Sequence, residues 1–324
     1  MKYVNELSDG EKLESVFAAT EKQLKKTRAG KPYLSLRLAD KTGSVESVAW
    51  DNAEGLALKF EKGDIVAVRA EVGSYNGNIQ LVVRDIKKVQ EPEGYLERIL
   101  PTTGRDVEAM LSELKAAVQN VGTGWIRELL QGFLNDSAFM EAFRKSPAAK
   151  GMHHVFAGGL LQHTLKVMRL VRLIFEEYNA SDPLVATMID KDLLIAGAFL
   201  HDIGKIEELS PGAGFDYTFR GKLLGHVTLG LMALKERMDG IENIDREKAD
   251  LLMHMVISHH GEYEYGSPKM PMSMEAMILH YADNLDAKLQ GLAEFADKDV
   301  QEGKFTAWHR LYERQFYKGG DTGQ

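Results

Sequence analysis

The sequence predicts a multidomain α+β protein: a small five-stranded β-barrel at the N-terminus, followed by an all-α helical bundle. Three observations carry this expectation. Apolar and polar residues alternate with period two from about Ser15 to Val89. Beyond Gly104 the apolar spacing becomes three and four, and the helical part from Val155 onward carries nearly all of the 10 histidines. Between the two patterns stands Glu91-Pro92-Glu93-Gly94, a chain-breaking run that marks a boundary. The expected organisation is therefore a barrel over 1–92, a bundle over 151–324, and between them a helical connecting segment over 93–150 packed on the bundle.

Within the first part, Tyr33-Leu-Ser-Leu-Arg-Leu38 alternates and Ser44-Val-Glu-Ser-Val-Ala-Trp50 nearly does; Asp64 to Ala70 and Ile79 to Val83 follow. Turn residues separate them at Ala29-Gly30, Lys41-Thr42-Gly43, Lys62-Gly63 and Asn76-Gly77. A helical excursion is expected from Ala53 to Phe60, between the third and fourth strands. The stretch Leu36-Arg-Leu-Ala-Asp-Lys-Thr-Gly-Ser-Val45 resembles the second and third strands of the OB fold. Barrels of that kind bind single strands by stacking bases on aromatics and tracking phosphates with basic side chains. Tyr33, Trp50 and Tyr75 are the stacking candidates, with Trp50 alternatively a core residue. Lys25, Lys26, Arg28 and Lys31 are candidates for the phosphates, the other reading being a solvated loop edge.

Charge is consistent with such a surface in the first part alone. Residues 1–92 hold 15 Lys+Arg and 14 Asp+Glu, a net of +1; the remainder holds 40−15=25 and 48−14=34, a net of −9. No cysteine is present, so disulfides, thiolate ligands and cysteine nucleophiles are excluded together. Any metal must use His, Asp or Glu. No apolar run of 18 or more residues occurs, and Met1 to Gly10 lacks a signal-peptide layout, so no membrane partner and a cytoplasmic location are expected.

Helices are expected over Gly104–Asn120, Gly124–Leu134 and Ser137–Arg144, with Asp106, Thr123 and Asn135 or Asp136 as caps. Longer ones are expected over Val155–Tyr178, Asp192–His201, Lys222–Met238, Asp245–His260 and Ser273–Asp297, and the tail from Lys318 to Gln324 is expected to be disordered. The centre of this part is Leu200-His201-Asp202-Ile203-Gly204-Lys205, which closes the apolar run Leu193 to Leu200. An imidazole and a carboxylate at the end of a buried helix are costly unless paired, and a metal ion pairs both. Helical spacing turns further metal-type residues inward. His163 follows Leu160 by three, His226 follows Leu223 by three, His259 and His260 follow Val256 by three and four, and Asp283 follows Leu279 by four. A lone histidine on an apolar face is usually a hydrogen-bonded core residue. Separate core histidines would not need to converge.

The order His163, His201-Asp202, Asp283 resembles the HD-domain metal-dependent phosphohydrolases, and His226 with His259-His260 resembles the binuclear form of that site. The resemblance implies Asp202 bridging two divalent metals, one also held by His163, His201 and Asp283, the other by His226, His259 and His260. Asp286, one turn from Asp283, competes for the last place; the run Ala-Asp-Asn-Leu-Asp-Ala favours Asp283. A narrower resemblance rests on Ala148-Ala-Lys-Gly-Met-His-His-Val155, Gly158-Gly-Leu-Leu-Gln-His163, His201-Asp-Ile-Gly-Lys205, Ser258-His-His-Gly261, Glu264-Tyr-Gly-Ser-Pro268 and Leu279-His-Tyr-Ala-Asp-Asn-Leu-Asp286. With an OB-like domain ahead of them, these are similar to the YhaM-type 3'-to-5' exoribonucleases over essentially the whole chain. That resemblance implies hydrolysis of single-stranded RNA, with DNA as a further substrate, from the 3' end to 5'-nucleotides.

The metal it implies is typically manganese, and the imidazole and carboxylate donors also suit Fe2+, Co2+, Ni2+ or Zn2+. Lys205 is expected to neutralise charge growing on the phosphate, the alternative being a solvated lysine. His154, with His153 beside it, is a candidate to contact substrate or protonate the leaving oxygen. Two other functions compete. His259-His260 followed by Tyr265-Gly266 and Pro271 is similar to the HD-GYP branch, which acts on cyclic dinucleotides, but the Gly-Tyr-Pro tripeptide is absent. A nucleic-acid-binding scaffold with an inert helical domain is the other. A homo-oligomer is compatible with the sequence.

Overall fold

A computed structural model describes residues 1–99, 103–149, 156, 158–210, 217–297 and 299–319. Strands β1 (Lys12–Lys26), β2 (Pro32–Asp40), β3 (Gly43–Ala49), β4 (Ile65–Tyr75) and β5 (Asn78–Lys88) close into a barrel in the order β1-β2-β3-β5-β4. All neighbours are antiparallel except β3 and β5, where Glu46 lies opposite Gln80. The alternation seen in the sequence is the in-out alternation of the wall. In β2, Leu34, Leu36 and Leu38 point inward while Arg37 faces out. Closure depends on β1, whose register slips between Ala19 and Glu21. Its first half pairs with β4 and its second with β2, the bend that an extra residue imposes. Helix α1 (Ala53–Ala57), shorter than the expected excursion, helps close the interior with Leu56, and Phe60 just beyond it is buried too.

The barrel keeps hold of the chain past the expected boundary at residue 92. Helix α2 (Leu96–Ile99) follows a short turn, and Ile99 joins Val16, Ala18 and Ile65 in a second cluster outside the barrel core. The Arg98 guanidinium lies 4.1 Å from the Tyr3 ring centre, and its Nε donates to the Val16 carbonyl at 3.3 Å.

Helices α3 (Val107–Gln119), α4 (Gly124–Asn135), α5 (Ser137–Lys145), α6 (Gly159–Ser181), α7 (Pro183–Thr187), α8 (Lys191–Leu200), α9 (Lys205–Glu208), α10 (Phe219–Met238), α11 (Arg246–Ser258) and α12 (Met274–Asp297) build the bundle. Asp106 caps α3 by accepting from the Glu108 and Ala109 amides, and Asp136 caps α5 by accepting from Phe139. Thr123 makes no such cap; its hydroxyl and amide both donate to Asp192, tying the start of α4 to that of α8. Helix α8 is apolar on every side because it is central, with Leu193 through Leu200 all buried. The segment α3 to α5 contributes Met110, Leu114, Ile126, Phe133 and Phe143 to the same core, and Phe143 meets Phe199 of α8 edge-on at 5.9 Å.

Near the C-terminus, Lys318 is tied down by a backbone bond to Lys304 and an ion pair with Asp299, where disorder was expected; 320–324 lie outside the described residues. Among the described residues no helix is long and apolar enough to cross a membrane.

The barrel and bundle cores share no residue. Leu36→Ala, a truncation inside the barrel, is therefore expected to cost about 2–5 kcal/mol there. Calorimetry should show the barrel transition moving down while that of the bundle stays in place.

Candidate functional site

Helix α8 ends at Leu200, so His201 and Asp202 lie in the turn before α9, both buried. Asp202 is the midpoint of the site. Its Oδ2 lies 3.3 Å from His201 Nε2 and 3.5 Å from His163 Nε2, while its Oδ1 lies 3.6 Å from both His226 Nε2 and His259 Nε2. One carboxylate thus faces two groups of imidazoles with different oxygens. Asp283 completes the first group, with Oδ1 3.1 Å from His163 Nε2 and 3.9 Å from His201 Nε2. His260 completes the second, with Nε2 3.2 Å from His226 Nε2.

The five rings share one orientation. His201, His259 and His260 each point Nδ1 at a backbone carbonyl, of Ala198, Val256 and Tyr265, at 2.9, 2.6 and 2.8 Å. His163 points Nδ1 at Asp286 at 2.8 Å, and His226 points Nδ1 at Glu208 at 3.1 Å. Each of these partners only accepts, so Nδ1 carries the proton and Nε2 of a neutral ring presents a lone pair. The Nε2 atoms of His226 and His260, 3.2 Å apart, then confront each other lone pair to lone pair, and those of His163 and His201 lie equally close. A cation between them removes that repulsion. Asp202 Oδ1 and His259 Nε2 are buried and have no hydrogen-bond partner among the described residues. The donor set and these two unpartnered atoms fit divalent metal, with imidazoles oriented from behind as metal-binding histidines are.

Electrostatics point the same way. Burial, with His260 and His201 as neighbours, pushes His259 well below the usual histidine range, and burial beside His226 lowers His260. Burial raises the Asp202 carboxyl, but Lys205 and His201 outweigh it and hold it well below the carboxylate range. Asp283 is lowered likewise, against burial, by its bond to His163. Burial disfavours charge on His163, yet Asp202, Asp283 and Asp286 raise it well above the usual value. The three carboxylates draw positive charge to that spot.

Lys205 is not a solvated lysine: it is mostly buried, with Nζ 2.5 Å from Asp202 Oδ2. Asp286 faces the back of His163 rather than the centre and also pairs with Lys166 at 3.0 Å. His153 and His154 lie outside the described residues. Glu208 had no signal in the sequence; it lies 18 residues before His226 and meets it only through the fold. Helical spacing also gave the wrong reason for His226. Leu223 is 67% exposed, and α10 breaks at Gly225, whose φ of 69° and ψ of 160° re-aim the following residue.

On the barrel, Lys25, Lys26, Arg28 and Lys31 fall together on the β1–β2 hairpin, where Lys25 pairs with Tyr33 and Lys26 with Pro32. Lys31 lies 3.5 Å from Asp51. Trp50 is not core: it is 42% exposed and stacks on Tyr33 at 4.8 Å with the planes 29° apart. Tyr75, 64% exposed, stands apart on the β4–β5 hairpin. The β3–β5 register puts that hairpin toward the start of β3 and Trp50 just past its end, so the outer face of β2 and β3 runs between them.

Comparison with known proteins agrees with both halves. The HD domain model matches residues 160–288, and the model of the OB-fold nucleic acid binding domain matches 19–89. The 3'-5' exoribonuclease YhaM of Bacillus subtilis (strain 168) is 34% identical over 293 residues, covering 89% of each chain. That of Geobacillus sp. (strain WCH70) is 36% identical over 297 residues, 89% of this chain and 86% of its own.

The turn carrying Asp202 is pressed against α10. A Cβ on Gly204 would lie 2.0 Å from the His226 carbonyl oxygen and 2.5 Å from the Gly230 nitrogen. Gly204→Ala is expected to displace His226, destabilising the bundle by about 1–3 kcal/mol or more. Thermal unfolding would register the loss, and equilibrium dialysis against Mn2+ the weakened binding.

Proposed function

Because the chain belongs to the YhaM family of 3'-5' exoribonucleases, we propose that its helical domain holds two divalent ions and cleaves there the strand that its barrel binds. The enzyme is a metal-dependent nuclease that removes nucleotides from the 3' end of RNA. His163, His201 and Asp283 are the proposed ligands of one ion and His226, His259 and His260 those of the other, with Asp202 shared. The single observation behind this assignment is that the two Asp202 oxygens face two separate groups of Nε2 atoms. Manganese is the proposed ion, favoured by mixed imidazole and carboxylate donors with no thiolate.

Such ions supply Lewis acidity at the attacked phosphorus and its departing oxygen. The protein's own groups do the rest. Lys205 fixes Asp202 and keeps a positive charge beside the position where phosphate charge grows. The carbonyls and carboxylates behind the imidazoles hold every Nε2 toward one centre before substrate arrives. Water attacks phosphorus, the bond to the 3' oxygen of the preceding nucleotide breaks, and a 5'-nucleotide leaves. His154 is the proposed donor of a proton to that oxygen.

The barrel binds single-stranded nucleic acid, and its proposed contacts are the Tyr33 and Trp50 stack for bases, Lys25, Lys26, Arg28 and Lys31 for phosphates, and Tyr75 at the far hairpin. RNA is the proposed strand, with DNA a further proposed substrate.

Asp202→Asn is expected to slow cleavage of single-stranded RNA by about 100-fold or more in Mn2+. Substrates labelled at either end distinguish direction: a 3' label should be released at once as a mononucleotide, a 5' label only as shortening fragments. Cleavage by Asp202→Asn at the wild-type rate would remove the proposal. Trp50→Ala, a change on the barrel, should raise KM about 10-fold with kcat unchanged, the scale of one lost base stack.

A further inference from the structure

The two groups of imidazoles are supported differently from behind, and one supporting side chain has no part in the ligand assignment. Glu208 is the last residue of α9 and is 9% exposed. Its Oε1 accepts two bonds from one residue, the His226 amide at 3.0 Å and His226 Nδ1 at 3.1 Å. Nδ1 is on the far side of the ring from Nε2, so this carboxylate is turned away from the centre and cannot itself be a ligand beside His226. The backbone around it leaves no slack. Gly225 breaks α10 just before His226, and a Cβ on Gly221 would lie 2.2 Å from the Glu208 carbonyl oxygen.

We infer that Glu208 is the positioning residue of the second ion alone, fixing the ring and backbone of His226 so that its Nε2 meets those of His259 and His260. This rests on the two-ion reading above. The first ion has its own equivalent in Asp286 behind His163. The other rings lean on carbonyls, whose aim is set by helix ends. His226 lacks that support because the helix is broken where it stands, and Glu208 replaces it. A carboxylate behind an imidazole also makes the ring a stronger donor. The four residues of α9 thus serve the site from both ends: Lys205 holds the shared carboxylate and Glu208 holds a ring of the second group.

The test is titration of metal-free protein with Mn2+, followed by electron paramagnetic resonance. Wild type should bind two ions and give the spectrum of a spin-coupled pair. Glu208→Ala should bind one ion as tightly as wild type and the other 10–100-fold more weakly. At Mn2+ concentrations that fill both sites of wild type, its spectrum should be that of an isolated ion. Glu208→Gln, which keeps an acceptor oxygen in the same volume, should lose less and regain the coupled spectrum at higher Mn2+. Asp286→Asn should weaken the other ion instead. Two sites of unchanged affinity in both Glu208 variants would overturn the inference while leaving the two-ion reading intact. So would equal weakening of both ions, the mark of general damage to the fold. If Glu208→Ala does not fold, an unchanged second affinity in Glu208→Gln is enough to overturn it. Wild type that binds one ion or none would overturn the two-ion reading itself, and this inference with it.

Discussion

Everything in the helical domain is arranged around a buried carboxylate that faces two ways. Asp202 is 1% exposed, and withdrawing an ionised group that far from water costs several kcal/mol unless its surroundings return it. They do so by specialisation of its two oxygens. Oδ2 takes the Lys205 cation and faces His163 and His201; Oδ1 faces His226 and His259 and has no hydrogen bond among the described residues. The proposed sharing of Asp202 by two cations requires this arrangement. Helices α6 and α10 and the turns after α8 and α11 must deliver five rings to it, and each ring must be turned so that its lone pair faces inward. The supporting carbonyls and carboxylates achieve that turning before any ion binds.

Constraints on the backbone follow from the same requirement. The turn after α8 must carry two proposed ligands at adjacent positions and still pass close beside α10, so Gly204 has no room for a side chain. Helix α10 must bring His226 to the centre although its exposed face there includes Leu223, and it does so by breaking at Gly225. Helices α8 and α11 end one residue before the proposed ligands His201 and His259, which can turn Nδ1 back to the last-turn carbonyls of Ala198 and Val256. Those carbonyls are among the groups a helix end leaves unpaired. Ligand presentation and helix termination are the same structural event here.

The barrel adds what the proposed metal centre lacks. Two divalent ions between carboxylates and imidazoles can act on many phosphoesters, since the ions recognise the phosphate rather than the molecule that carries it. A separate aromatic and basic surface, built on its own hydrophobic core, is the proposed contact for a long flexible strand. The overall negative charge of the chain does not conflict with this, because the basic residues proposed to contact phosphate gather on one hairpin.

The sequence by itself determined the two architectures, the barrel from period-two alternation and the bundle from helical spacing, because burial of one face writes its period directly into the chain. It also determined which residues were chemically able to hold metal, since the absence of cysteine left only His, Asp and Glu. The tertiary structure decided the rest. Asp283 and Asp286 are one turn apart with similar sequence credentials, and only the packing of α12 on α6 shows that Asp283 faces the centre while Asp286 backs His163. Trp50 could be core or surface by composition, and the end of β3 places it outside on Tyr33. Glu208 carries no pattern at all, because its partner is 18 residues away across a broken helix. Period and residue type are local properties and can be read along the chain; which side of an imidazole a carboxylate meets is fixed only when distant segments pack.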